Sequence, residues 1–180
     1  MILFDTSVVI DARNADSPWH EWAKQLIAEA GDTEGAVVNT VVIAEAAVYV
    51  KDREHFAFHL EKIGLTLLPL PVSAAAPAAK AFAIYMDRLK AEGKTRASKI
   101  PLGDFFIGAH AEAEGMKLVT RDPDQIRTYF PSVKLIVPSK RVELTSAPRL
   151  QFRERRDLVS KRTRSNHKAS NAIREPILPP

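Results

Sequence analysis

Four carboxylates stand beside short apolar runs of this 180-residue chain. Asp5 follows Ile2-Leu3-Phe4, and Glu45 is the only charge between Ala36 and Val50. Asp104 lies between Gly103 and Phe105-Phe106, and Asp122 follows Leu118-Val119 through Thr120-Arg121. An isolated carboxylate among apolar neighbours costs several kcal/mol unless a cation compensates it. Carboxylates that converge also repel one another, so a shared divalent ion is the natural compensation. Hard Mg²⁺ or Mn²⁺ prefers oxygen ligands and keeps several waters, which suits one or two carboxylates together with phosphate oxygens. The chemistry this offers is metal-assisted hydrolysis of a phosphate ester: the ion acidifies a water for in-line attack and neutralises charge on the phosphorane and the leaving oxygen. Structural roles account for the same residues. Asp104 can cap a helix, Asp122 can make an Asx turn before Pro123, and Glu45 can face a basic partner across a sheet. Spacing alone leaves both readings open.

The elements that must position these acids are legible in outline. Ile2-Leu3-Phe4 reads as a buried strand followed by a turn at Thr6-Ser7. Ser17-Pro18 reads as the start of a helix carrying Trp19, Trp22, Ala23, Leu26, Ile27 and Ala30 up to Gly31. Ala36-Val37-Val38 is the next strand. Asn39-Thr40 can then cap a helix through Val50, or the β-branched Val41, Val42 and Ile43 can prolong the strand. Leu65 to Leu70 is a short apolar run cut by Pro69. Ala75, Ala79, Phe82, Met86 and Leu89 mark a long amphipathic helix ending near Gly93. A helix opens at Gly103-Asp104 and ends at Gly115, and Lys117-Leu118-Val119 and Val133 to Val137 are the last strands. Short apolar strands separated by helices predict an α/β fold with a parallel sheet covered on both faces. In such a sheet, ligands bind beyond the carboxyl ends of the strands, which is where the acids fall.

The net charge of +4 hides an asymmetry. From Arg141 to Pro180 there are ten Lys/Arg against four Asp/Glu, leaving 16 basic and 18 acidic residues in the first 140. The pI of about 9.4 therefore belongs largely to the end of the chain. Residues 1–138 are expected to form one domain, and residues 139–180 a basic tail that is disordered when alone. With no cysteine, the chain has no disulfide scaffold, cysteine nucleophile or cysteine-ligated metal, and a reducing cytoplasm fits it. Met1-Ile2-Leu3-Phe4-Asp5 is not a signal peptide. The longest uncharged stretch, Ile63 to Ala79, is too short and too rich in proline to cross a membrane.

The segments around the four acids carry a resemblance. Phe4-Asp5-Thr6-Ser7-Val8-Val9-Ile10 resembles the opening strand and turn of PIN-domain nucleases. Asn39-Thr40-Val41-Val42-Ile43-Ala44-Glu45 and Leu102-Gly103-Asp104-Phe105-Phe106-Ile107-Gly108-Ala109-His110-Ala111 resemble their second-acid and third-acid helices. Leu118-Val119-Thr120-Arg121-Asp122, with Phe130-Pro131 and Val133 to Ile136 downstream, is similar to their closing segment. Order, spacing and length match the VapC-type toxins of bacterial toxin–antitoxin pairs over residues 1–138. The resemblance implies a three-layer α/β/α sandwich with a central parallel sheet. It further implies a Mg²⁺- or Mn²⁺-dependent endoribonuclease leaving 5′-phosphate and 3′-hydroxyl ends, a homodimer, and a small antitoxin covering the active site. Asp5, Glu45 and Asp104 fall on the family's main acidic positions and Asp122 on its more variable fourth, a role that Asp124 can share. Ser7 occupies a position commonly Asn or Ser, and Thr6 or Thr120 can orient a ligand or water. The tail after Pro138 has no counterpart in the short members. A negative crevice also suits an antitoxin that inserts Arg or Lys among the carboxylates and displaces the metal.

Other constellations carry less. His55 and His59 have the i, i+4 spacing of a zinc pair, but the hydrolytic motif needs Glu where Phe56 stands. His110 lies off the face of Asp104 and reads as structural or surface. Phosphate-cradling glycine patterns and Gly-x-Ser-x-Gly are missing. A phospho-aspartate phosphatase needs a second Asp where Ser7 stands. Lys94, Arg96 and Lys99, in the basic run before Asp104, and Arg121 are candidates to clamp RNA phosphates at the rim of an acidic crevice; solvated surface is the plainer reading of that run. The reading from another functional class is a catalytically silent RNA- or protein-binding module that uses the basic tail.

Overall fold

A computed structural model describes residues 1–93 and 102–138. The basic run Lys94 to Lys99 and the tail from residue 139 lie outside the described residues, and so does the domain boundary expected there. Five short parallel strands form one sheet: β1 (Ile2–Phe4), β2 (Ala36–Asn39), β3 (Thr66–Leu68), β4 (Lys117–Val119) and β5 (Leu135–Ile136). Their spatial order is β3-β2-β1-β4-β5. Leu3 pairs with Val37 on one side and with Leu118 on the other. Every residue of β1 and β2 is buried. Consecutive strand residues point to opposite faces, so burial of all of them means that both faces are covered. The fold is a three-layer α/β/α sandwich around a parallel sheet.

The chain steps from β1 to β2 and β3 on one side, then returns to β4 and β5 on the other. The order of strands therefore reverses between β1 and β4, and a crevice opens beyond their carboxyl ends. Asp5 and Thr120 are the first residues past those two ends.

The helices are α1 (Thr6–Arg13), α2 (His20–Asp32), α3 (Thr40–Ala47), α4 (Phe56–Lys62), α5 (Ala75–Ala91), α6 (Leu102–Ala113) and α7 (Pro123–Tyr129). Several expectations are corrected here. Thr6-Ser7 is no turn but the start of α1, because the Asp5 carboxylate accepts the Thr6 N–H and caps the helix. Ser17 does not cap α2, which begins at His20; its hydroxyl donates to Asp11 and accepts from the Trp19 N–H instead. The ambiguity at Val41-Val42-Ile43 resolves as helix. Asn39 accepts the Val42 N–H at 3.0 Å, and that cap outweighs β-branched propensity once Val42 and Ala46 are buried. On α5 the buried stripe is Ala78, Ala81, Tyr85 and Leu89, while Ala75 and Ala79 are exposed. The stripe read from the sequence was rotated because alanines carry little hydrophobic signal. Among the described residues, no helix is long and apolar enough to cross a membrane.

Two features fix α6, the helix of Asp104. Phe105 is fully buried and packs its ring on Phe82, Tyr85 and Tyr129 at centroid distances of 5.4, 5.5 and 5.2 Å. On the same helix, a Cβ at Gly108 would collide with the Phe130 ring and lie 3.1 Å from Ile126 Cδ1. Glycine there allows α6 to approach α7 closely.

Candidate active site

Asp5 is held by the backbone and by two hydroxyls. Its Oδ1 accepts the Thr6 N–H at 2.7 Å, and its Oδ2 accepts from Ser7 Oγ at 3.0 Å and from Thr120 Oγ1 at 2.8 Å. Burial raises its pKa above the ordinary carboxylate value; the Thr120, Ser7 and Thr6 hydrogen bonds and the charge of Arg121 oppose that rise. Desolvation wins. The ionised form is therefore the costly one until a cation arrives.

Thr120 joins the two strand ends. It is buried, donates to Asp5, and accepts the Asp122 N–H at 3.1 Å. Asp122 stands at the N-cap position of α7, but its side chain makes no cap bond, so the Asx-turn reading fails there. Asp104 sits in the first turn of α6, inside the helix rather than at its cap. Asp5, Asp104 and Asp122 line one open cleft with Thr120, Gln125 and Ile126.

Glu45 is not among the residues lining that cleft. It is tied to the site through Thr6, whose Oγ1 donates to its Oε2 at 2.6 Å. Its other oxygen crowds the first turn of α6: a Cβ at Gly103 would stand 2.5 Å from Glu45 Oε1. Asp124 points away, exposed and 3.6 Å from Arg127 Nη1. Lys94, Arg96 and Lys99 lie outside the described residues. Arg121 turns toward α1, with Nε 2.8 Å from Asp11 Oδ2. His55 precedes α4 and contacts the exposed Asp52 at 2.9 Å. His110 is buried 3.2 Å from Asn39 Nδ2, which makes it structural. Asn39 Oδ1 already accepts the Val42 N–H, so its amide group donates to His110 Nδ1.

Among the described residues, no three carboxylate or histidine side chains form a finished metal-ligand set. In kind, the donors fit a hard divalent cation: the acids of the cleft offer oxygen only, and one of them is buried against its own ionisation. Sequence reasoning missed Asp11 and Gln125. Gln125 lines the cleft, and its Nε2 is buried with no hydrogen-bond partner among the described residues. Asp122-Pro123 was the available signal, since proline at the first helical position marks a helix start and would have placed Gln125 on α7.

The PIN domain family model matches residues 2–131. No curated protein sequence matches the chain. Among solved structures, a toxin–antitoxin complex from Klebsiella pneumoniae is similar at 19% identity and a TM-score of 0.54, covering 78% of this chain and 100% of that one. VapBC2 from Rickettsia felis, bound to a DNA fragment from its promoter, is similar at 18% identity and a TM-score of 0.52, covering 76% and 98%. VapC20 of Mycobacterium tuberculosis, a toxin that cleaves the sarcin-ricin loop, is similar at 16% identity and a TM-score of 0.51, covering 74% and 99%. At these identities the likeness is one of fold.

Proposed function

The chain belongs to the PIN-domain family, and we propose that it is a divalent-metal-dependent endoribonuclease, the toxin of a toxin–antitoxin pair. One observation carries the reading: a half-buried, hydroxyl-held Asp5 shares a cleft with Asp104 and Asp122 at the point where strand order reverses. Asp5, Asp104 and Asp122 would hold Mg²⁺ or Mn²⁺, with Glu45 beside them. The ion, when bound, supplies an acidified water and neutralises charge at the phosphate. Thr6, Ser7 and Thr120 orient the carboxylates, so that little reorganisation remains when substrate arrives. Asp124 faces solvent and has at most an indirect part. Lys94, Arg96 and Lys99 are candidates for contact with RNA phosphates, because an acidic cleft needs cations near it to admit a polyanion. Support for RNA as substrate and for a small antitoxin comes from the structural neighbours, which include toxin–antitoxin complexes and an RNA-cleaving toxin. The same reading includes a homodimer acting in the cytoplasm, where RNA is at hand.

The test is cleavage of total bacterial RNA with Mg²⁺, with EDTA, and by the Asp5→Asn/Asp104→Asn double variant, paired with calorimetric titration of Mn²⁺ into both proteins. Discrete cuts that vanish in both controls, with Mn²⁺ binding lost in the variant, are expected. Cutting that persists in the double variant, or none by the parent chain, ends the nuclease assignment and directs attention to binding by the basic residues 141–180.

A further inference from the structure

Asp11 matches no family motif, yet it is the only acid among the described residues that is buried as a whole residue, at 4% exposure. Its Oδ1 accepts from Ser17 Oγ at 2.7 Å, and its Oδ2 lies 2.8 Å from Arg121 Nε. The contact is an ion pair whose N–H is not aimed at the oxygen, so charge rather than an aligned hydrogen bond holds it. A pair with one partner buried and the other half-buried is a poor source of stability, because desolvation cancels much of the attraction. Its position is more telling. Arg121 stands between Thr120 and Asp122, both of which line the cleft. Asp11 lies on α1, the helix that Asp5 caps.

We propose that Asp11 is a positioning residue of the acidic cleft: by holding Arg121 from within, it closes a ring of links that sets Thr120 and Asp122 against Asp5. The ring runs from Asp5 along α1 to Asp11, across the ion pair to Arg121, along the backbone to Thr120, and through the Thr120 hydroxyl back to Asp5. The inference rests on the reading of Asp5 and Asp122 as acids of the hydrolytic site. It also changes the part given to Arg121, whose Nε is engaged by the protein. Its charge lowers the cost of ionising both Asp5 and Asp11.

The experiment uses the full chain and the isosteric variant Asp11→Asn, with Asp11→Glu as the conservative control. Amide hydrogen exchange at Thr120 and Asp122 reads the loop independently of activity, with Leu118 in the same strand as reference. In Asp11→Asn, exchange at Thr120 and Asp122 should rise about tenfold while Leu118 stays within about twofold, the mark of local rather than global opening. The kcat should fall about 10- to 100-fold with KM changed less than about threefold, because the ring places catalytic groups and does not bind RNA. Asp11→Glu should recover most of both. Unchanged exchange in Asp11→Asn overturns the inference, and so does equal acceleration at all three amides, which would mark a general structural role. Should Asp11→Asn not fold, Arg121→Gln, which removes the charge that holds the pair, decides by the exchange readout, with the same rise at Thr120 and Asp122 expected. A parent chain that cuts no RNA would end the nuclease reading alone, since the exchange data still decide whether Asp11 holds the loop.

Discussion

Replacing Thr120 with valine isolates one hydroxyl at the centre of the cleft. Valine keeps the branching and nearly the volume of the buried side chain, but removes the donor to Asp5 Oδ2 at 2.8 Å and the acceptor of the Asp122 N–H at 3.1 Å. A hydrogen bond to a charged group contributes about 1.5–3 kcal/mol net, which converts to a loss of about 10- to 150-fold in kcat/KM where the ionised carboxylate is required. Ser7 still donates to the same oxygen at 3.0 Å, which keeps the loss finite. The pH dependence gives a sharper signature. Burial raises the pKa of Asp5, and the Thr120 hydroxyl is the foremost influence pulling it down. Without that hydroxyl the pKa climbs further, so the acid limb of the rate profile should move to higher pH. The deficit should be greatest in acid and shrink as the pH rises. Initial rates on a fluorogenic RNA across the pH range measure this, and Thr120→Ser should keep the parental limb. An unmoved acid limb, with a rate within about twofold of the parent, would refute the coupling of Thr120 to Asp5.

Three further outcomes are expected. Gly108→Ala overpacks the contact of α6 with Phe130 and Ile126; overpacking costs about 1–3 kcal/mol and should lower the melting temperature by about 2–12 °C in differential scanning calorimetry. Gly103→Ala places a methyl group against Glu45 Oε1, the far end of a flexible side chain; melting should change little while cleavage falls, and undiminished cleavage would mean that Glu45 is not needed where it stands. Asp5→Asn should raise the melting temperature of the metal-free protein near neutral pH: a pKa raised in the folded state contributes stability that is complete below the unfolded value of 3.8 and is lost as pH rises through the folded one. That difference should vanish in acid, and Mg²⁺ should stabilise the parent but not the variant.

The sequence made the strands legible because Ile2-Leu3-Phe4, Ala36-Val37-Val38 and Leu118-Val119 are short apolar runs at the middle of a sheet, where burial on both faces leaves no alternation to confuse. The four acids were legible because each interrupts or follows such a run. What escaped was set by side chains acting across long separations. Asp5 and Thr120 are 115 residues apart, and only the pairing of β1 with β4 brings them together. Asn39 and His110 are 71 residues apart and look unremarkable singly. The start of α1 escaped because Thr6 and Ser7 are short polar residues that suit a turn as well as a first helical turn, and only the Asp5 cap decides between them.

Placement at helix starts explains how the fold carries the acids at all. Asp5 caps α1, Asp104 lies in the first turn of α6, and Asp122 stands at the N-cap position of α7. Each therefore sits at the positive end of a helix, where exposed N–H dipoles favour a carboxylate by about 0.3–1 kcal/mol. Glu45, near the end of α3, has no such support and takes the Thr6 hydroxyl instead. Arg121, fixed by Asp11, adds one whole charge from behind. These contributions lessen the repulsion among the acids, yet for Asp5 burial still prevails. The remainder is what a divalent ion would relieve on binding. A cation beside Asp5 would offset the desolvation that raises its pKa, and the hydroxyls of Thr120 and Ser7 already hold the carboxylate in place to receive one.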